Sequence, residues 1–407
     1  VRLSGTPLVI VMSCVMVLDH LGLGVLPALQ PVLIDEWQMS ATEAGWVNGI
    51  FAVGYMLGVI MVVPFTDRMD ARTIFLAANT LWFFSIIGFA LWAEGFTSAS
   101  VLRFIGGFAF AGTYMPGLKL MTDRLGRDDT SRAIAWYTAS FGIGAALSFS
   151  LSGIINNALG WQWAFVILGF GSLAATALIW ITTQHQAPLK SVERRRFLNI
   201  SAVLGNRPAL AYILAYTLHT WELITIGAWA VTFLAFAASL QPAGSIGVDV
   251  TLFGALVSLV AMPASIFGNE IARRFGRRQT VSILMVMSAL FGCLVGFTAA
   301  MPFWVVVLAL LIYSALTAAD SASITAGTVK HAVPELYGAT MTLHSFIGFT
   351  GGFLGPLTFG YVLDTAGGKD SVEGWGMAFA VVALTTLLGP LILRTLLRGV
   401  PQHPSAD

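Results

Sequence analysis

The 407-residue sequence predicts an all-α membrane protein, with twelve transmembrane helices arranged as two pseudo-symmetric six-helix bundles. Three observations carry that reading. Charged residues are only 10% of the chain and hydrophobic ones 57%, with a mean hydropathy of +0.82. A soluble domain carries about 25% charged residues, so a water-soluble multidomain enzyme is excluded. Two short basic turns, TDRMDAR at Thr66–Arg72 and IARRFGRR at Ile271–Arg278, each lie between apolar runs. Arg68 and Arg274 within them are 206 residues apart, about half the chain. Lysine and arginine, finally, are gathered on one side of the predicted spans.

A span needs about 20 mainly apolar residues. Such runs fall at 8–33, 44–64, 73–93, 98–121, 132–157 and 163–183, then at 208–238, 251–271, 280–300, 303–328, 337–362 and 376–396. The first is too long for a signal-peptide core and no small-residue cleavage site follows it, so it is read as a retained span. The second enters the first basic turn and the third leaves it. The fourth opens on VLRFIGGFAFAG. The fifth carries Tyr137, Ser140, Gly144, Ser148 and Ser152, a small polar stripe suited to close helix contact. The sixth opens on GWQWAF (Gly160–Phe165), and the twelfth repeats the order with GWGMAF (Gly374–Phe379). Interfacial tryptophans occur in any membrane protein, but the shared order at equivalent positions favours common ancestry.

Between sixth and seventh spans lies the longest polar connection, with Lys190 and the run Arg194, Arg195, Arg196. The chain therefore divides into an N-terminal bundle (1–183), a cytoplasmic linker (184–207), a C-terminal bundle (208–399) and a cytoplasmic tail (400–407). The eighth span enters the second basic turn and the ninth leaves it. The tenth shows a polar face at Thr317, Asp320 and Ser323, and the eleventh carries His344 and GGFLGPLTFG. With the N-terminus inside, 18 of the 21 basic residues are cytoplasmic; Lys369 falls outside, and Arg103 and Lys119 lie within a span. Both termini are thus expected in the cytoplasm, in a bacterial inner membrane. The net charge of +1 gives no reason to expect a nucleic-acid partner, and the two cysteines, Cys14 and Cys293, sit in apolar runs that suit neither a disulfide nor a metal site.

Together these features resemble the major facilitator superfamily over essentially the whole chain. That family's loop between second and third spans reads G-x-L-A-D-R-x-G-R-R/K. VPFTDRMDAR keeps Asp67, Arg68 and Arg72 but has Val63 and Asp70 for the two glycines. The copy after the eighth span keeps Arg274, Gly276, Arg277 and Arg278 but has Arg273 in place of the acid. The fourth span matches R-x-x-x-G through Arg103 and Gly107, whereas GIGAALSFSLSG in the fifth lacks the Gly-Pro of family antiporters. The resemblance implies a transporter whose halves rock about a site near mid-membrane. It also implies that Asp67, Arg68 and Arg72 act as a cytoplasmic latch.

An ionisable side chain in lipid needs a partner or water, and marks function by default. The first span holds Asp19 and His20; its repeat partner, the seventh, holds His219 and Glu222, three residues apart on one helical face. Asp19 and His219 are 200 residues apart, at matching depths. A structural hydrogen bond is the alternative for each residue singly, and matched pairs favour function. Arg103 binds substrate or pairs with an acid or backbone carbonyls; both readings stand. Tyr114, about three turns on, shares its face if the helix is continuous. Lys119 is close enough to the inner surface to snorkel. Asp320 is a candidate proton carrier or counter-charge, and His344 titrates near physiological pH or serves as an interhelical hydrogen-bonding group.

The leading expectation is a monomeric, proton-coupled carrier of a small organic solute. Arg103, with help from Lys119 and His20, points to an organic anion. No cofactor or metal is expected beyond the proton gradient as energy source. Asp19 is ranked first for proton coupling, before Glu222 and Asp320. The alternative is proton-driven efflux of amphipathic compounds, which 12% aromatic residues would suit. An intramembrane enzyme needs a nucleophile–base pair or metal cluster, and a transporter-like sensor needs an output domain; the sequence offers neither.

Overall fold

A computed structural model describes residues 3–125, 130–186 and 200–399, apart from the side chains of Asp67 and Ser131. Arg2, Arg127, Lys190, Arg194, Arg195, Arg196 and the 400–407 tail lie outside that set, as does most of the predicted 184–207 linker. Among the described residues every regular element is helical. Eleven segments are long and apolar enough to cross a membrane. The twelfth, Phe96–Thr122, is split into two helices, neither of which reaches span length.

In chain order the first half contains α1 (Gly5–His20), α2 (Val25–Trp37), α3 (Ala41–Met61), α4 (Ala71–Trp92), α5 (Phe96–Phe110), α6 (Tyr114–Thr122), α7 (Thr130–Leu159) and α8 (Trp161–Thr182). The second contains the short α9 (Ile200–Gly205), then α10 (Arg207–Ser239), α11 (Thr251–Phe275), α12 (Arg277–Val295), α13 (Phe303–Ala319), α14 (Ser321–His331), α15 (Tyr337–Thr365), α16 (Val372–Thr385) and α17 (Leu388–Leu396). The chain forms two compact units, Val1–Gln38 with Ile50–Arg194 and Met39–Gly49 with Arg195–Asp407. Residues 39–49 join the second unit because Asp364, on α15, caps α3: its carboxylate accepts from the N–H groups of Ala41 (2.9 Å) and Thr42 (2.7 Å).

Four spans are interrupted, and local chemistry explains three of the breaks. The first leaves helical geometry at Leu21–Gly24, a stretch with two glycines. Ser148 on α7 repairs that break, accepting from Gly24 N–H (2.9 Å) and donating to the Leu21 carbonyl (2.5 Å). A Cβ at Gly24 would meet the Phe149 ring at 2.9 Å, so a larger residue there would push that ring aside. The fourth span breaks at Ala111–Thr113 because Pro116 lacks the N–H that would bond Gly112 and its ring crowds that carbonyl. Pro390 does the same to Thr386 between α16 and α17. The tenth breaks at Asp320 without a glycine or proline beside it. There the Ser265 hydroxyl of α11 accepts from Ala322 N–H (3.2 Å), supplying a bond that the new helix start lacks.

Lipid is as apolar as the side chains it surrounds, so close packing rather than escape from water holds such helices together. In the second unit Gly348, Gly351 and Gly355 of α15 let Tyr216, the Thr217 carbonyl and the Trp221 carbonyl of α10 approach without a Cβ between them. In the first, Leu8, Met12 and Met16 of α1 pack with Phe75, Leu120, Tyr137 and Ile179.

Candidate functional site

Most of the buried polar atoms that lack an aligned hydrogen bond belong to residues singled out from sequence; Asn79 Oδ1 and Ser100 Oγ are the others among the described residues. The former are Asp19 Oδ1, His20 Nε2, Arg103 Nε, both ring nitrogens of His219 and Asp320 Oδ1. Buried polar groups are nearly always satisfied, so these residues are the candidates for a functional site.

In the first unit Asp19 and His20 occupy the last turn of α1, just before the break. The Asp19 backbone carbonyl accepts from Trp82 Nε1 at 3.2 Å, which anchors this turn to α4. His20 Nδ1 donates to the Met16 carbonyl at 2.8 Å and lies 3.6 Å from Asp19 Oδ2, so its hydrogen goes to the backbone. Edges of Phe110 and Phe141 close on the imidazole, at centroid distances of 5.0 and 4.5 Å. Thr113, at the break of the fourth span, neighbours the Asp19 carboxyl group. Its hydroxyl donates to the Phe110 carbonyl at 2.9 Å.

Arg103 is 7% exposed, on α5, and its guanidinium stacks over the Phe51 ring, 4.3 Å from the centroid. Among the described residues no carboxylate lies within ion-pair distance of it, and Nε has no acceptor. Of the two readings of Arg103, pairing with an acid has no counterpart among the described residues. Lys119 differs: it pairs with Asp123 at 2.9 Å on its own helix, in keeping with a snorkelling lysine. The shared-face argument for Tyr114 fails because the break at Ala111–Thr113 lies between it and Arg103. Tyr114 begins α6 and turns its hydroxyl to Thr138 at 3.3 Å, among the rings of Tyr137 and Phe141.

In the second unit His219 Nδ1 lies 2.7 Å from Asp320 Oδ1, close but not aligned as a hydrogen bond. Tyr216 stacks with both His219 and His344, with centroids 5.7 and 4.0 Å apart. His344 Nδ1 meets the Thr328 hydroxyl at 3.2 Å. Glu222 shares a helix with His219 but not its partners. Its Oε1 accepts from Tyr313 (2.7 Å) and Ser288 (2.8 Å), and Ser288 also meets Thr317 at 2.9 Å. The polar face predicted for the tenth span is thus divided. Thr317 joins the Glu222 network, Asp320 faces His219, and the Ser323 carbonyl accepts from Arg277 (2.9 Å).

At the basic turn of the first unit the acid with described contacts is Asp70. It caps α4 through Arg72 N–H (3.0 Å), pairs with Arg124 (3.2 Å) and accepts from Gln186 N–H (2.7 Å). Arg72 reaches α8, donating to the Thr183 hydroxyl (3.0 Å) and the Trp180 carbonyl (3.1 Å). Arg68 is exposed, and the Asp67 side chain is outside the described set. The sequence reading missed these contacts of Asp70, although an Asp immediately before an apolar helical run is a capping signal. It also missed Thr113, Tyr216, Ser288 and Tyr313, residue types too common in spans to stand out.

Known proteins share this architecture. The putative tartrate transporter of Agrobacterium vitis is 26% identical over 94% of this chain and 93% of its own length. The hexuronate transporter of Bacillus subtilis is 20% identical over 95% of each. The crystal structure of a mutant of the nucleoside transporter NupG superposes with a TM-score of 0.80 at 14% identity, over 96% of this chain and 99% of that one, a likeness of fold. The family model described as Major Facilitator Superfamily matches residues 12–241 and 223–407. With its apolar helical segments and its two compact units, the chain belongs to the Major Facilitator Superfamily and is a membrane transporter, not an enzyme.

Proposed function

We propose that this protein is a secondary active transporter that moves a small organic anion by proton-coupled alternating access. We place it as a monomer in a bacterial inner membrane with both termini in the cytoplasm. The observation that carries the reading is Arg103, a buried guanidinium with an aromatic ring on one face and no acidic partner among the described residues. A buried cation without a counter-charge is costly, and a substrate carboxylate supplies one with the planar geometry a guanidinium matches. Lys119 is already paired with Asp123, so Arg103 is the basic group left to bind an anion at this depth. The names of the tartrate and hexuronate relatives support the same substrate class. Asp19 is the first choice for the coupling proton, being buried in the same unit with one oxygen unsatisfied.

The test is uptake of labelled tartrate, galacturonate and other small organic acids into proteoliposomes, with and without an inward proton gradient. Wild-type protein is expected to accumulate at least one acid only with the gradient. A charge-assisted hydrogen bond contributes about 1.5–3 kcal/mol, so Arg103→Gln should weaken apparent affinity about 10- to 150-fold. Unchanged affinity in that variant would remove Arg103 from the site, and accumulation indifferent to pH would remove the proton.

A further inference from the structure

The two units contain the same joint in different chemistry. In each, the first helix of the repeat carries a buried ionisable group that faces the break in the fourth helix. In the first unit Asp19 of α1 faces Thr113, between α5 and α6. In the second His219 of α10 faces Asp320, between α13 and α14. Asp19 and His219 are 200 residues apart and Thr113 and Asp320 are 207, close to the 206 that separates the repeated arginines. The acid has moved from the first helix to the fourth, and an imidazole accompanies it in both cases: His20 beside Asp19, His219 beside Asp320. Both carboxylates keep an oxygen without an aligned hydrogen bond.

We propose that the His219–Asp320 pair is a second proton-carrying joint, the repeat counterpart of the Asp19–Thr113 joint, so that each unit carries its own transported proton. This deepens the proton-coupled reading above and rests on it. The electrostatics are alike in both units. Without its proton each joint holds a net charge of −1: an Asp19 carboxylate in one, an Asp320 carboxylate beside a neutral His219 in the other. One proton neutralises each, on Asp19 in the first and shared between His219 and Asp320 in the second. A neutral joint is what a low-dielectric, membrane-buried position favours. The position at a helix break gives the proton mechanical leverage, since the fourth helix has no continuous hydrogen-bond ladder to resist movement there.

The groups around the second joint are consistent with one proton at this pair. On α10, Glu222 already accepts from Tyr313 of α13 and Ser288 of α12. On α15, His344 stacks on the Tyr216 ring, which also contacts His219. On α11, Ser265 and Asn269 are neutral; Asn269 and the Ser323 carbonyl occupy Arg277 of α12. Around the first joint, the Tyr137 hydroxyl of α7 donates to the Tyr114 carbonyl, and Arg103 on α5 is a fixed buried cation.

Infrared difference spectra of the purified protein in nanodiscs, titrated from acid to alkaline pH, read buried protonated carboxyl groups without any substrate. Bands from Asp19 and Asp320 are expected in wild type, and Glu222→Gln identifies any band from the third buried carboxyl group. Asp19→Asn should remove the first and Asp320→Asn the second, while His219→Gln should shift the second; size-exclusion profiles check that each variant is folded. A spectrum that Asp320→Asn and His219→Gln both leave unaltered overturns the proposal. Proton flux reported by an internal pH dye, measured beside uptake of labelled tartrate and galacturonate, then gives protons moved per anion. The expected ratio halves from two to one in Asp320→Asn, and an unchanged ratio also overturns the joint as a carrier. If neither acid moves protons in wild type, the coupled-transport reading fails on its own account, and a carrier role for the joint falls with it. The infrared bands then still decide whether the joint binds a proton.

Discussion

Asp70 caps α4 and holds Arg124, yet by sequence it stands as a departure from the loop motif, where the family has glycine. Its contacts cannot be read from the loop because Arg124 and Gln186 lie 54 and 116 residues away. Breaking a buried ion pair by removing one partner costs about 3–5 kcal/mol. Asp70→Ala should therefore lower the melting temperature of the detergent-solubilised protein markedly. Asp70→Asn, which keeps a capping oxygen, should lower it less. Tryptophan fluorescence against temperature reads both, and a wild-type melting curve for Asp70→Ala would leave this carboxylate without a structural role. Asp19, His20, Arg103, His219 and Asp320 were legible by themselves, because an ionisable residue in an apolar run stands out. Thr113, Tyr216, Ser288 and Tyr313 were not, because hydroxyls and rings occur throughout membrane helices.

At the scale of elements, the twelve apolar runs matched the helices closely and the interruptions inside them did not show. A hydropathy pattern averages over about 20 residues, whereas a break occupies one to four. Two of the breaks follow from Pro116 and Pro390 once the helix hydrogen-bond ladder is considered residue by residue. The break after His20 depends on Ser148, more than 120 residues away, whose hydroxyl serves both a donor and an acceptor that the helix has left. Sequence pattern assigned Ser148 to a packing stripe, which is correct for its position and incomplete for its role. Leaving a buried backbone group unsatisfied costs about 1–3 kcal/mol. Ser148→Ala should thus destabilise strongly, whereas Ser140→Ala, whose hydroxyl only bonds the carbonyl of Trp136 on its own helix, should be nearly neutral. Equal melting temperatures for the two variants would show that the first break does not need its bridge.

For the whole molecule the orientation in the membrane is the main expectation still carried by charge alone. Eighteen of 21 basic residues lie in segments assigned to the cytoplasm, and such bias sets orientation because positively charged loops resist translocation. A fluorescent protein fused to the C-terminus should therefore fluoresce, and alkaline phosphatase inserted after Gly244, between α10 and α11, should be active outside. The reverse pattern would overturn the assigned topology and with it the cytoplasmic placing of the Asp70–Arg124 pair.

The sequence by itself determined that this is a helical membrane protein with an internal duplication, how many spans it has, and which buried ionisable residues need an explanation. Those properties depend on composition, spacing and the energetic cost of charge in lipid, all of which are local or additive along the chain. Only the tertiary structure decided who faces whom. It gave His219 to Asp320 rather than to Glu222, left Arg103 without an acid among the described residues, separated Tyr114 from it, and put Thr113 opposite Asp19. The physical reason is that such pairings depend on the rotation of each helix about its axis and on where its hydrogen-bond ladder breaks. Both are settled by contacts between residues a hundred or more positions apart.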